Sequence, residues 1–249
     1  MIEIERDGVV QLIWLNRPER RNAINREMID GIRAGIDEAS RDPNCRCVVI
    51  RGRGGTFSSG RDLGSTERPN GLPETLERDI AWTGIFEAMH GLEKPSVAIV
   101  EGYAVAGGFT LSMACDFVLA SDDAYFGAFE MRNGFPAAIN TPLLAKLGGP
   151  KRTLEWAMFG EPIAASALYA AGLINRLMPN DELEATAAAF IGTLSALDPD
   201  AVALTKQLHR LSLESPHGHS LQAGKYVNAL LAASGRISEA GSKYRKKNS

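Results

Sequence analysis

Two glycine-rich segments carry the residue types and spacing best suited to chemistry. The first, Gly52-Arg53-Gly54-Gly55-Thr56-Phe57-Ser58-Ser59-Gly60-Arg61-Asp62-Leu63, follows the apolar run Cys47-Val48-Val49-Ile50. The second, Gly102-Tyr103-Ala104-Val105-Ala106-Gly107-Gly108-Phe109-Thr110, follows Val97-Ala98-Ile99-Val100 and leads into Leu111-Ser112-Met113-Ala114-Cys115. Strand, glycine turn and helix in that order aim bare backbone N–H groups at a ligand. Glycine permits tight turns and close approach to the backbone. The first N–H groups of a helix lack internal partners and lie at the positive end of its dipole. Two such turns that converge form an oxyanion hole, a pair of preorganised donors for an oxygen that gains negative charge.

The elements that must position these turns are legible around them. Asp7-Gly8 between Ile2/Ile4 and Val9/Val10, Leu12 and Trp14 predicts a hairpin. Ile24, Met28, Ile32 and Ile36 recur every four residues and predict an amphipathic helix capped by Asn25. Residues 64–74, with Gly64, Pro69, Gly71 and Pro73, predict a loop. Leu76, Ile80, Phe86 and Met89 then fall on or near one helical face, and Lys94-Pro95 ends that helix. Phe117–Ala120 and Ala124–Phe126 read as short strands. From Thr141 onward the chain reads as almost wholly helical, with Pro142, Pro150, Pro162, Pro199 and Pro216 at candidate helix starts. A last strand is expected near 174–178.

Composition narrows the function classes. At 249 residues and 45% hydrophobic content the chain can bury a large core. A formal charge of −3 gives no broad attraction to nucleic acid. Cys45, Cys47 and Cys115 form neither a metal spacing nor a disulfide framework, and Cys47 and Cys115 read as buried thiols. A reduced, cytoplasmic setting is expected, with no targeting segment at Met1-Ile2-Glu3-Ile4 and no apolar run near the ~20 residues of a membrane helix.

Four motifs in register resemble the crotonase, or enoyl-CoA hydratase/isomerase, superfamily. They are Asn16-Arg17-Pro18-Glu19-Arg20-Arg21-Asn22-Ala23, the Phe57–Leu63 loop, the Gly102–Gly108 turn, and Tyr125-Phe126-Gly127-Ala128-Phe129-Glu130-Met131-Arg132-Asn133-Gly134-Phe135-Pro136. The similarity runs from about Ile2 to Lys247. The resemblance implies an α/β fold, a crotonase-like ββα spiral core over residues 1–195. Residues 196–249 would form a C-terminal helical region used in trimer assembly. It also implies a homotrimer or a hexamer of two stacked trimers, a coenzyme A thioester as substrate, and no permanently bound cofactor or metal. The thioester carbonyl would lie between the N–H groups of Arg61 and Gly107.

The resemblance also raises the acid/base question. Hydratases of this family hold a water between two glutamates. Here the second position is Glu130, but the first is Thr110. A threonine hydroxyl can hold a water but cannot exchange a proton as a carboxylate does, and one placed acid/base group is typically worth about 10²–10⁴ in rate. One carboxylate is enough to remove an α- or γ-proton and return it elsewhere, which shifts a double bond. Among Phe126, Phe129 and Phe135, Glu130 is expected to have a raised pKa. Ala138 stands where some relatives carry a further carboxylate.

The same resemblance assigns coenzyme A contacts to Arg20, Arg21, Ser59, Asp62, Leu63, Tyr244 and Lys247. The acyl pocket is expected to draw on Trp82, Ile85, Phe86, Phe135, Ile139 and Asn140, with Asn140 binding a polar substituent or capping the helix after it. Asp62 is read either as support for its loop or as a contact at the nucleotide end. Competing readings are a hydratase with a water held by Thr110, a lyase or hydrolase acting on a functionalised acyl-CoA, and a non-catalytic binder of thioester or RNA.

Overall fold

The computed structural model describes residues 1–64 and 71–238. In chain order, β1 (Ile2–Asp7) and β2 (Val10–Leu15) precede α1 (Arg26–Arg41), β3 (Cys47–Gly52) and α2 (Leu72–Gly91). Then come β4 (Ser96–Val100), β5 (Tyr103–Val105), α3 (Gly107–Ala114), β6 (Phe117–Ser121) and β7 (Tyr125–Gly127). The remainder is α4 (Asn140–Leu147), α5 (Pro150–Phe159), β8 (Ile163–Ala164), α6 (Ala165–Ala170), β9 (Arg176–Met178), α7 (Leu183–Ser195), α8 (Pro199–Glu214) and α9 (His217–Ala233).

The main sheet has the order β1-β2-β3-β4-β6-β9. Only the β1–β2 hairpin is antiparallel; its connecting Gly8 has φ +56°. A second sheet has the order β5-β7-β8. Successive turns of chain (β4-β5-α3, then β6-β7-α4) each lay one strand in each sheet before a helix. This is the ββα spiral, with helices filling most of the C-terminal part.

The central strands explain why the core is two-sided. Side chains alternate across a strand. In β3, Val48 and Ile50 enter the large cluster shared with α1, α2 and α3, while Cys47 and Val49 enter a smaller one on the opposite face. In β4, Ala98 and Val100 go one way, Val97 and Ile99 the other. Leu183 and Ala187 of α7 cover the smaller cluster. Strands buried on both faces read as unbroken apolar runs, as these do. Asp116 closes the sheet's end by accepting from the Ser96 N–H and hydroxyl at 2.8 and 2.7 Å.

The α1 stripe forms as its spacing dictates. Met28, Ile32 and Ile36 are buried, and Asn25 Oδ1 accepts from the Met28 N–H at 3.0 Å. Cys45, Cys47 and Cys115 are buried free thiols. Three local expectations change. Helix α2 starts at Leu72, inside the segment read as loop, with Gly71 (φ +92°) before it and Pro73 in its first turn. There the missing proline N–H is one of the unpaired donors in any case. Trp82, Ile85 and Met89 make the buried face of α2; Leu76 and Ile80 are exposed, because 100° per residue places them on the opposite side. Pro142 lies within the first turn of α4 rather than at its start, and Pro162 precedes β8.

The chain forms two compact units, Met1–Leu197 and Asp198–Ser249. In the second, Asp198 Oδ1 caps α8 by accepting from the Ala201 N–H at 2.9 Å, and Arg236 pairs with Asp200 at 2.6 Å. Among the described residues no single helix is long and apolar enough to cross a membrane.

Candidate active site

The first glycine loop is held as an irregular extra strand. The buried Asn22 amide donates to the carbonyls of Arg53 and Thr56 at 2.9 and 2.7 Å. Ser58 N–H donates to Tyr103 O, and Val105 N–H donates to Ser58 O, so Phe57–Ser58 runs beside β5. Two residues later the chain meets Ile24: Ile24 N–H donates to Gly60 O at 2.8 Å, and Asp62 N–H to Ile24 O at 2.9 Å. Backbone direction alternates along an extended chain, so the Arg61 N–H, between these two bonds, points away from Ile24.

The second turn arrives from the other side. Ala106 N–H donates to Gly127 O at 2.7 Å, and Ala106 holds φ +48° and ψ −122°, a conformation alanine rarely adopts. That turn places Gly107 at the first position of α3, where its N–H has no helical acceptor. A methyl group at Gly107 would lie 3.2 Å from the Arg61 nitrogen and 3.0 Å from Trp82 Cζ2. One at Gly60, whose φ is +92°, would lie 2.8 Å from the Gly107 nitrogen. The Arg61 and Gly107 nitrogens therefore border one small space that a side chain at Gly107 would enter. Neither N–H has a partner among the described residues. Gly108 serves contact: a Cβ there would meet Ser58 O at 2.5 Å.

Beside this space lies a chain of polar side chains. Thr110, one turn into α3, is 1% exposed and donates from its hydroxyl to Asn140 Oδ1 at 2.8 Å. Asn140, also 1% exposed, donates from Nδ2 to Glu130 Oε1 at 2.9 Å and to Ala106 O at 3.1 Å. Glu130 sits in a short 3₁₀ turn, Phe129–Asn133, that follows β7. Its other oxygen, Oε2, is buried without a hydrogen-bond partner. Burial pushes the Glu130 carboxyl above the usual carboxylate range, opposed by its own N–H and by the Asn140 amide.

The expected acyl-pocket residues separate into two groups. Trp82 forms the wall next to Gly107, with Phe86 edge-on to it at 4.8 Å between ring centroids. Ile139 is half-buried and Phe135 exposed, both on the stretch between Glu130 and α4. Ile85 has no exposed surface and packs in the core cluster. Asn140 is neither free to meet a substituent nor a helix cap: the capping residue of α4 is Ile139, with no side-chain bond, and the Asn140 amide is taken up by Thr110, Ala106 and Glu130. Its polarity in an apolar stretch was the signal; its partners lie too far away in sequence to be read.

Of the residues assigned to coenzyme A, Ser59, Asp62 and Leu63 lie in the first loop, and Arg20 and Arg21 in the segment bonded to it. Arg20 and Arg21 are exposed, Arg21 with φ +54°, and Ser59 N–H donates to Arg21 O at 3.0 Å. Asp62 pairs with Arg17 and accepts from the Gly64 N–H at 3.1 Å, which supports its own loop. Leu63 is exposed. The Arg61 guanidinium pairs with Asp79 at 2.8 Å above the Trp82 ring. Tyr244 and Lys247 lie outside the described residues. Among the described residues no group of His, Cys, Asp and Glu side chains is arranged to hold a metal ion.

Two backbone amides beside a half-buried carboxylate can stabilise an enolate and move a proton. Comparisons with known proteins identify the family. The sequence model of the enoyl-CoA hydratase/isomerase family matches residues 5–246. The mevalonyl-coenzyme A hydratase of Aspergillus fumigatus is 33% identical over 199 residues, 80% of this chain and 73% of that protein. A short-chain-enoyl-CoA hydratase of Clostridium acetobutylicum is 30% identical over 206 residues, 82% of this chain and 78% of its own. The crystal structure of an enoyl-CoA hydratase from Polaromonas sp. JS666 superposes with a TM-score of 0.92 at 26% identity, covering 99% of this chain and 97% of that one. The chain belongs to the enoyl-CoA hydratase/isomerase family.

Proposed function

We propose that this enzyme binds an unsaturated acyl-CoA thioester, holds its carbonyl oxygen between the N–H groups of Arg61 and Gly107, and shifts the double bond with Glu130 as the sole carboxylate base. The observation that carries this reading is a half-buried Glu130, its Oε2 buried without a partner and its carboxyl pushed up by desolvation, in a chain with Thr110 where hydratases of the family hold their other glutamate. Glu130 Oε2 takes a proton from the carbon next to the carbonyl or from the γ-carbon. The C–H electron pair moves through the conjugated system onto the thioester oxygen, between the two amides. The same proton then returns to the other end of the dienolate, and the charge leaves the oxygen. Net, one double bond moves and nothing is consumed. A preorganised donor of this kind has been worth about 2.7–4 kcal/mol elsewhere.

The names of the relatives favour a second reading, hydration. It needs a second proton-handling group beside the attacking water. The Thr110 hydroxyl has one proton and two protein acceptors within reach, Asn140 Oδ1 at 2.8 Å and Ala106 O at 3.3 Å, so it offers a water only an acceptor. The two readings separate in one assay series, 3-enoyl-CoA and 2-enoyl-CoA substrates offered to the wild type and to Glu130→Gln. Double-bond migration outpacing hydration, and loss of at least 10²-fold of it in the variant, is expected. Full turnover by the variant on every accepted substrate sinks the assignment of the base. Coenzyme A would lie along Arg20, Arg21, Ser59, Asp62 and Leu63, with phosphates near the two arginines. The working form would be a homotrimer or a pair of trimers.

A further inference from the structure

We propose that Asn140 is a positioning residue that ties the base to the oxyanion donor, so that one buried amide sets the geometry of both. The inference rests on the enolate reading above and concerns a side chain that reading does not use. The orientation of the Asn140 amide is fixed by its surroundings. The Ala106 carbonyl can only accept, so the group facing it must be the NH₂ end; the oxygen then faces the Thr110 hydroxyl, which donates. The two protons of Nδ2 divide between Ala106 O at 3.1 Å and Glu130 Oε1 at 2.9 Å.

Each of those acceptors matters. The Ala106 carbonyl belongs to the same peptide unit as the Gly107 N–H. A donor on the carbonyl end polarises that unit and steadies its plane, so the N–H opposite becomes a firmer donor to an enolate oxygen. Thr110 N–H adds a bond to the same carbonyl at 3.1 Å. At the other end, Oε1 of Glu130 is occupied by the amide, and Oε2 is the oxygen left to take the proton. The groups that bear on Glu130 are burial, its own N–H and this amide, so removing the amide removes the one side-chain donor that favours the ionised base. Thr110 fits that orientation: its hydroxyl meets Oδ1 at 2.8 Å and lies 3.3 Å from the same Ala106 carbonyl. Asn140 is nearly fully buried and does not cap α4, which leaves the triple contact as its role.

The test uses the full-length enzyme and two ligands, acetoacetyl-CoA, whose enolate absorbs in the near ultraviolet, and butyryl-CoA, which does not enolise. The variants are Asn140→Ala and the nearly isosteric Asn140→Asp, which carries the test if the first does not fold. For each, the enolate band, the pH dependence of kcat/KM and the butyryl-CoA affinity are measured. The expected result has three parts. The pH at which half the bound acetoacetyl-CoA is enolised rises by about one unit, a tenfold loss. The acid limb of kcat/KM moves to higher pH in both variants, further in Asn140→Asp, where a second carboxylate adjoins Glu130. Turnover falls about 10- to 100-fold while butyryl-CoA affinity stays within about twofold. An enolate band and an acid limb both unmoved in a folded variant overturn the inference, as does an equal loss on all readouts, which marks a structural role alone. The underlying reading fails differently: the wild type then forms no enolate band and Glu130→Gln keeps its turnover.

Discussion

Glu130 is a carboxyl kept under unusual conditions, with one oxygen bonded to the Asn140 amide and the other buried without a hydrogen-bond partner. Its raised pKa has a consequence for stability as well as catalysis. For a carboxyl whose folded-state pKa exceeds the unfolded one, stability is full below the unfolded pKa and is lost as pH rises through the folded pKa. Glu130→Gln is therefore expected to raise the melting temperature at about pH 8, by a few °C at most, and to bring no gain near pH 4. Melting curves of the two proteins across that range check this; equal offsets at both ends would remove the raised pKa from the account. The two glycine turns were legible in the sequence as strand, glycine and helix patterns, whereas Arg61 and Gly107 were assigned as donors from the family resemblance. The Asn140 bridge was not legible. Its partners Thr110 and Ala106 lie 30 and 34 residues away, and no local rule joins them.

Helix α3 and the loop of Phe57–Arg61 depend on each other through glycines with different duties. Gly108 lets the helix lie against Ser58 O, a backbone atom that cannot swing aside. A Cβ at Gly107 would meet the edge of the Trp82 ring at 3.0 Å and the Arg61 nitrogen at 3.2 Å. Gly108→Ala is expected to destabilise the fold by several kcal/mol, as overpacking in a rigid place does. Gly107→Ala is expected to fold with a far smaller loss and to lower kcat by about 10² or more, since its methyl intrudes where the oxyanion would bind. Thermal unfolding and turnover measured together distinguish the two; similar melting points would show the first glycine turn to be more yielding than its contacts imply. The stripe on α1 was readable because one face alone is apolar. On α2 two opposite faces carry large apolar residues, so periodicity could not tell Trp82, Ile85 and Met89 from Leu72, Leu76 and Ile80; tertiary packing decided.

For the molecule as a whole, the outward face of α2 leaves Leu72, Leu76 and Ile80 at 78, 55 and 60% exposure. Such a row is unusual on a lone chain and common at a contact between copies. Sedimentation is expected to give a particle of three or six times the 26.8 kDa chain, and a monomer at micromolar concentration would refute that assembly. The spiral was expected from the resemblance of four motifs in register to the family; the order of strands was not read from the sequence. Ala106 adds something the whole protein bears. A methyl-bearing residue held at φ +48° costs on the order of 1–3 kcal/mol, and it does so in the peptide that presents the Gly107 N–H. Ala106→Gly removes that burden and also slackens the peptide. The variant is expected to survive heat better by about 2–4 °C and to work more slowly. Thermal endurance and speed would then be opposed through a single methyl group, and hardening this enzyme against heat at that position would blunt it.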